Sequence, residues 1–178
     1  MQSPPAFPID PLGISPASLA ARGLRAHEEA VSLELAEVGA DGREYLLVPA
    51  AAAAWRDLKA AARGDGLAVQ LASAYRSVAR QAEIIRDKLD AGMTIEEILT
   101  LCAPPGFSEH HTGRAVDIVS PDFPELEIGF EYTAAFDWLT HHASGFGFTL
   151  SYPRGNSAGY QYEPWHWCFN PPESVRRT

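Results

Sequence analysis

The segment SEHHTGRAVD, residues 108–117, decides the fold and the chemistry that we expect of this chain. It places an imidazole, His110, ahead of a carboxylate, Asp117, within a run of apolar residues typical of a buried strand. If residues 113–119 are extended, Gly113 and Ala115 share a face with Asp117, and these small residues leave room for a ligand beside the carboxylate. The segment therefore predicts a strand that carries Asp117 into the same cleft as His110.

A second segment, EPWH at residues 163–166, offers one more carboxylate and one more imidazole. Two histidines and one carboxylate leave the fourth position of a tetrahedral zinc ion free for water, as a catalytic zinc requires. His110, Asp117 and His166 provide this set, and we predict about one Zn2+ per chain. A histidine near an aspartate more often satisfies ordinary hydrogen bonds, so the residues alone leave both interpretations open.

Together the two segments resemble the motifs Ser-x-His-x-x-Gly-x-Ala-x-Asp and Glu-x-Trp-His of the VanY-type D-alanyl-D-alanine carboxypeptidases. The segment SAYRS at residues 73–77, with Gln81 beyond it, resembles the substrate-side segment of the same family. VanX dipeptidases, zinc D-Ala-D-Ala peptidases, phage L-alanyl-D-glutamate endopeptidases and the Hedgehog signalling domain belong to the same superfamily. The resemblance covers residues 31–169.

The resemblance implies a role for each matching residue. The zinc ligands correspond to His110, Asp117 and His166. Glu163 corresponds to the catalytic base, which takes a proton from the attacking water and later delivers it to the leaving amine. Arg76 corresponds to an arginine beside the substrate carbonyl, where a fixed cation stabilises the developing oxyanion. The substrate-binding positions correspond to Ser108, Gln81 and Tyr75.

The rest of the chain predicts an α+β domain. β-type patterning on either side of a turn predicts a hairpin over residues 31–38 and 43–48, which we expect to begin the sheet. Further strands are expected at 67–73, 146–151 and 161–169, and helices at 50–63, 77–92, 94–101 and 132–144. Without βαβ regularity, we expect a central antiparallel sheet with helices packed on one side and a zinc cleft on the other.

Length and composition limit the domain organisation and the partners. With 178 residues, we expect a proline-rich, extended arm over residues 1–25 and a single zinc peptidase domain over residues 26–178. The net charge of −9 argues against nucleic acid and anionic membranes as partners, and no apolar run predicts a membrane span. We expect a monomer. The N-terminus does not resemble a signal peptide, which leaves the compartment open between the cytoplasm and a processed, exported form.

The substrate that the resemblance implies is a peptidoglycan stem peptide or muropeptide that loses its terminal D-Ala. A free D-Ala-D-Ala dipeptidase and an L-Ala-D-Glu endopeptidase remain alternatives, because cleft walls and loops set specificity and motifs at the metal do not. A non-catalytic, zinc-containing binding domain is an alternative of another class. Glu163 and Arg76 argue against it, since a protein that only binds needs no base beside the metal.

Several other polar residues have no part in these motifs. Packing or surface roles are expected for the remaining histidines, which are His27, His111, His141 and His142. Cys102 and Cys168 are expected to be buried free thiols. We expect Glu109 to be a solvated charge. The loop over residues 152–160 is predicted to be either a lip over the cleft or a simple hairpin turn.

Overall fold

The structure, a computed structural model, describes residues 12–171. Residues 1–11 of the expected arm and residues 172–178 of the expected domain lie outside this range. Within it, the α-helices are α1 (Pro16–Ala21), α2 (Pro49–Gly64), α3 (Val78–Asp90), α4 (Ile95–Leu101) and α5 (Ala134–His142). The strands are β1 (Glu34–Val38), β2 (Glu44–Leu47), β3 (Gln70–Ser73), β4 (Ala115–Val119), β5 (Phe148–Leu150) and β6 (His166–Phe169). None of the described helices is both long enough and apolar enough to cross a bilayer.

The strands form two antiparallel sheets. β1 and β2 pair as the predicted hairpin, and the other four strands form a sheet in the order β3-β4-β6-β5. The expected α+β class with an antiparallel central sheet is confirmed. The hairpin, however, is a sheet of its own and does not begin the central one.

Strand β4 lies in the middle of the central sheet, and all five of its residues are buried. Val116 and Ile118 join the main hydrophobic core, which α2 and α5 cover with large apolar side chains such as Trp55 and Leu139. Because side chains alternate along a strand, Asp117 points to the opposite face. The core therefore lies on one side of β4, and the candidate cleft lies on the other.

A second hydrophobic cluster joins the N-terminal segment to α3 and α4. Leu12, Ile14 and Leu19 are buried there against residues such as Ile85 and Ile98. The described part of the expected arm is thus packed onto the domain, because burying these three apolar side chains against α3 and α4 removes apolar surface from water.

The link between His110 and β4 is a tight left-handed turn. A 3-10 helix at Glu109–Thr112 ends at Gly113, whose φ of 64° is left-handed. The extended conformation expected from residue 113 therefore begins only at Ala115. A Cβ at position 113 would lie 2.9 Å from Cδ2 of Leu33, so both the backbone angle and the space call for glycine.

Replacing Gly113 with Ala is expected to destabilise the fold by roughly 2 kcal/mol or more, since a left-handed L-residue alone costs roughly 1–2 kcal/mol. Gly64→Ala is the matched control, because Gly64 ends α2 and nothing lies within 4 Å of a Cβ there. It should be neutral or stabilising by up to about 1 kcal/mol. Urea denaturation of both variants measures the difference, and equal midpoints would contradict the account of Gly113.

Candidate active site

Three elements bring the predicted metal ligands to one point. His110 comes from the 3-10 helix, Asp117 from the middle of β4 and His166 from the start of β6. Asp117 and His166 are direct partners in the antiparallel register, which places their side chains next to each other on one face. Each of the three residues offers a ligand atom, and these atoms all lie within 4.8 Å of one another.

The ligand atoms face a common centre and are buried. Nε2 of His110 lies 3.3 Å from Oδ2 of Asp117, and Nδ1 of His166 lies 3.0 Å from Oδ1 of the same carboxylate. Nδ1 of His110 donates to the carbonyl oxygen of Ala74 at 2.7 Å, so the lone pair of Nε2 is free for a metal. Two imidazole nitrogens and one carboxylate oxygen form a donor set that suits zinc.

The charge balance at this centre favours a cation. Burial alone would lower the pKa of His166, but hydrogen bonds to Asp117 and Glu109 raise it to about 10. Burial would raise the pKa of Asp117, yet the neighbouring His110 and His166 hold it well below its usual range. The site thus keeps a carboxylate ionised and attracts positive charge, and a divalent cation can replace the proton on His166.

Glu163 lies beside the ligand set. A tight turn, closed by the amide of His166 donating to the carbonyl of Glu163 at 3.1 Å, brings the two side chains to the same side of the chain. Oε2 of Glu163 is 3.7 Å from Nδ1 of His166. Burial raises the pKa of Glu163 to about 7, although the positive charge of His166 opposes the shift. A carboxylate that gains and loses a proton near neutrality is suited to general acid-base catalysis.

Arg76 is held rigidly at the same centre. Its Nη1 donates to Oε1 of Gln81 and its Nη2 to Oγ of Ser73, each at 2.9 Å, and Nη2 also lies 3.8 Å from Oδ2 of Asp117. Gln81 is fully buried, and its Nε2 donates to the carbonyl of Ala103. The predicted substrate residue Gln81 is therefore also the support that fixes the guanidinium of Arg76.

The cluster opens into a cleft of about 340 Å³ that contains the ligand set, Glu163, Arg76 and Gln81. Ser108 also lines this cleft, and its Oγ accepts a hydrogen bond from the amide of His110 at 3.3 Å. Tyr75, by contrast, is not among the residues that line the cleft. Burial raises the pKa of the Tyr75 phenol, and the negative charge of the nearby Glu29 raises it further. The structure thus gives no support to a substrate contact by Tyr75.

Glu109 has a role that we did not expect from the sequence. Its Oε2 lies 3.0 Å from Nε2 of His166 and accepts a hydrogen bond from Oγ of Ser151 at 2.6 Å. Burial would raise the pKa of Glu109, but the contact with His166 brings it to about 2. The expectation of a solvated charge is therefore wrong. Its partners are distant in the sequence, so no local spacing signals the contact.

Among the other histidines, His111 directly follows His110, and both of its ring nitrogens are engaged by backbone groups. Its Nδ1 donates to the carbonyl of Arg76 at 2.6 Å, and its Nε2 accepts from the amide of Gly106 at 3.0 Å. This neutral imidazole ties the 3-10 helix to the segment after β3, which agrees with the expected packing role.

The loop over residues 152–160 lies at the rim of the cleft. Tyr152 and Tyr160, at its two ends, line the cleft with ring centroids 4.9 Å apart, and Tyr152 also packs on the ring of His166. Nδ2 of Asn156 donates to the carbonyls of Pro153 and Tyr160 and so closes the loop on itself. The loop is a turn stabilised by its own hydrogen bonds, and its two ends form part of the cleft wall.

Comparisons with known proteins agree with this geometry. Residues 44–172 match the family model of VanY, described as D-alanyl-D-alanine carboxypeptidase. A D-alanyl-D-alanine carboxypeptidase of Enterococcus faecalis is 34% identical over 124 residues, which are 64% of this chain and 44% of that protein. The chain thus spans less than half of the length of this curated relative.

Two solved structures are also similar. The LdcB LD-carboxypeptidase is 31% identical with a TM-score of 0.72, and the match covers 83% of this chain and 72% of that one. A mutant of the vancomycin resistance D,D-pentapeptidase VanY in complex with Zn(II) is 30% identical with a TM-score of 0.61, over 78% of each chain.

Glu109→Gln is expected to weaken zinc binding by about 10- to 100-fold, because the carboxylate orients His166 and strengthens it as a ligand. Titration with a competing chelator measures the affinity, and His110→Ala and Asp117→Ala provide the reference for loss of a ligand. Glu125→Gln, at an exposed position, is the control for removing one negative charge. An affinity in Glu109→Gln equal to that of Glu125→Gln would rule out the orienting role.

Proposed function

Because this chain belongs to the VanY family of D-alanyl-D-alanine carboxypeptidases, we propose that it is a zinc-dependent carboxypeptidase that removes the terminal D-Ala from peptidoglycan stem peptides. The observation that carries the proposal is the convergence of three buried ligand atoms within 4.8 Å, with a base and a fixed cation beside them. We propose His110, Asp117 and His166 as the ligands of about one zinc ion per chain.

A zinc ion in this site would polarise the peptide carbonyl and lower the pKa of water from about 15.7 towards about 7. The protein's own groups carry the proton and the developing charge. Glu163 takes the proton of the attacking water and returns it to the leaving amine, a cycle that its pKa of about 7 permits near neutrality. A base in this position argues against a protein that only binds its ligand.

Arg76 is proposed to stabilise the negative charge that grows on the carbonyl oxygen. The hydrogen bonds that its guanidinium donates to Gln81 and Ser73 hold it in place before the substrate arrives, so little reorganisation is needed during the reaction. Ser108, which lines the cleft beside His110, is proposed to contact the backbone or terminal carboxylate of the substrate.

The similarity to LdcB favours a second candidate, an LD-carboxypeptidase, in which the residue before the cleaved bond has the L configuration. The dipeptidase and endopeptidase alternatives use the same metal centre and differ in the walls of the cleft.

Products from defined muropeptides test the proposal. The zinc-loaded protein is incubated with pentapeptide, tetrapeptide, tripeptide and free D-Ala-D-Ala, and the products are identified by mass spectrometry. We expect the pentapeptide to lose a single alanine. Loss of alanine from the tetrapeptide alone would assign the second candidate, whereas cleavage between L-Ala and D-Glu or of the free dipeptide alone would overturn the proposed specificity.

Glu163→Gln is expected to retain zinc, while its turnover number falls about 10²- to 10⁴-fold, the usual contribution of a positioned acid-base group. Glutamine has nearly the same shape but cannot accept the proton. Elemental analysis and steady-state kinetics on the same sample separate the two effects. His166→Ala is the comparison, since it should lose metal and turnover together. Turnover within a factor of two of wild type would assign the base to another residue.

A further inference from the structure

Helix α3 forms one wall of the cleft and carries a lysine there. Gln81, Ile84 and Lys88 all line the cleft, and their spacing of three and four residues places them on one face of the helix. Gln81 is at the metal end, where it holds Arg76. With a rise of about 1.5 Å per residue, the backbone of Lys88 lies roughly 10 Å further along the helix axis. Lys88 therefore belongs to the end of the cleft away from the metal ligands.

The ammonium group of Lys88 has no acidic partner within the part of the chain that the structure describes. Although the chain has a net charge of −9, no carboxylate of residues 12–171 lies within ion-pair distance of this group. The acidic residues that line the cleft, Asp117 and Glu163, belong to the metal centre. The other cation of the cleft, Arg76, is already engaged by Gln81, Ser73 and Asp117. Lys88 is thus the cleft cation that is available to a ligand.

The sequence of α3 offers Lys88 no intrahelical partner. The positions three and four residues away hold Ile84, Ile85, Ala91 and Gly92. None of these is acidic, so the usual intrahelical ion pair cannot form.

The surroundings of Lys88 favour a strong interaction with an anion. Lys88 is half-buried, and the wall beside it contains Ile84, Leu101 and Cys102. Its charge reaches Cys102, where burial raises the pKa of the thiol and the ammonium of Lys88 opposes that shift. A charge pair beside an apolar wall is less screened by water than one on the open surface.

We propose that Lys88 is a specificity-determining residue that binds a carboxylate of the substrate at the end of the cleft away from the metal. The inference rests on the proposed function, since a peptide substrate supplies the carboxylate. The free carboxylate of an acidic residue within the peptide fits this place, because the C-terminal carboxylate lies one residue from the cleaved bond and is the group proposed for Ser108. Because both carboxylates pair with an ammonium in the same way, two peptide pairs distinguish them.

The test measures binding separately from turnover. Zinc-loaded Glu163→Gln protein is titrated calorimetrically with a peptide that ends in a free carboxylate and with its carboxamide. A second pair has D-isoglutamate or D-isoglutamine within the stem. Each titration is repeated with Lys88→Met, which removes the charge but keeps the apolar stem, and with Lys88→Arg. Arg86→Met is the matched control, because Arg86 is exposed on the same helix and does not line the cleft.

In the Lys88→Met background we expect the acidic member of the second pair to bind about 10- to 100-fold more weakly, and its amide to bind unchanged. Lys88→Arg should retain most of the preference, and Arg86→Met all of it. Loss of the preference in the first pair alone would assign the C-terminal carboxylate and overturn the placement of the acidic residue. Equal weakening of both members of each pair, or no weakening of any, would overturn the proposal.

The same titrations separate this inference from the proposed function. Turnover of the same peptides by wild-type protein is followed by mass spectrometry. A carboxylate preference that depends on Lys88, without any hydrolysis by wild type, would support the role of Lys88 and contradict the proposed reaction. Hydrolysis by wild type, together with an unchanged carboxylate preference in Lys88→Met, would support the proposed reaction and contradict the role of Lys88.

Discussion

The antiparallel pairing of β4 with β6 places Asp117 directly opposite His166, and the whole candidate site depends on this register. A slip of one residue would turn Asp117 towards the core and an apolar neighbour towards the cleft, because side chains alternate along a strand. Burial of Val116 and Ile118 against the main core opposes such a slip. The hydrophobic effect on one face of β4 thereby fixes the position of a candidate metal ligand, Asp117, on the other.

The electrostatics of the centre follow from that placement. A buried carboxylate is costly unless it is paired, and Asp117 is paired with two imidazoles within 3.3 Å. Glu109 lies on the far side of His166, so this imidazole is held between two carboxylates. The carboxylates of Asp117 and Glu109 concentrate negative charge at this centre, and a divalent cation can neutralise it. Metal binding is therefore expected to be coupled to the stability of this region.

Much of this protein could be predicted from local sequence signals. The starts of the helices expected at 77–92 and 94–101 could be predicted because they depend on local hydrogen bonds: Ser77 and Thr94 each accept one from a backbone amide three residues on. The expected ligands could be named because their residue types suit zinc and because the two segments resemble the motifs of one family, and the structure brings these residues together. Residues 113–119 were expected to be extended, but Gly113 has a left-handed φ of 64° and the strand begins only at Ala115.

The sequence by itself determined the secondary structure around the site and the residue types at its centre, because these depend on short-range hydrogen bonds and on side-chain chemistry. Only the tertiary structure decided which other side chains meet there. It turned Glu109 towards His166 and brought Lys88 into the wall of the cleft that holds the candidate ligands. These contacts join segments that are far apart in the chain, and no local periodicity or spacing encodes the packing that brings such segments together.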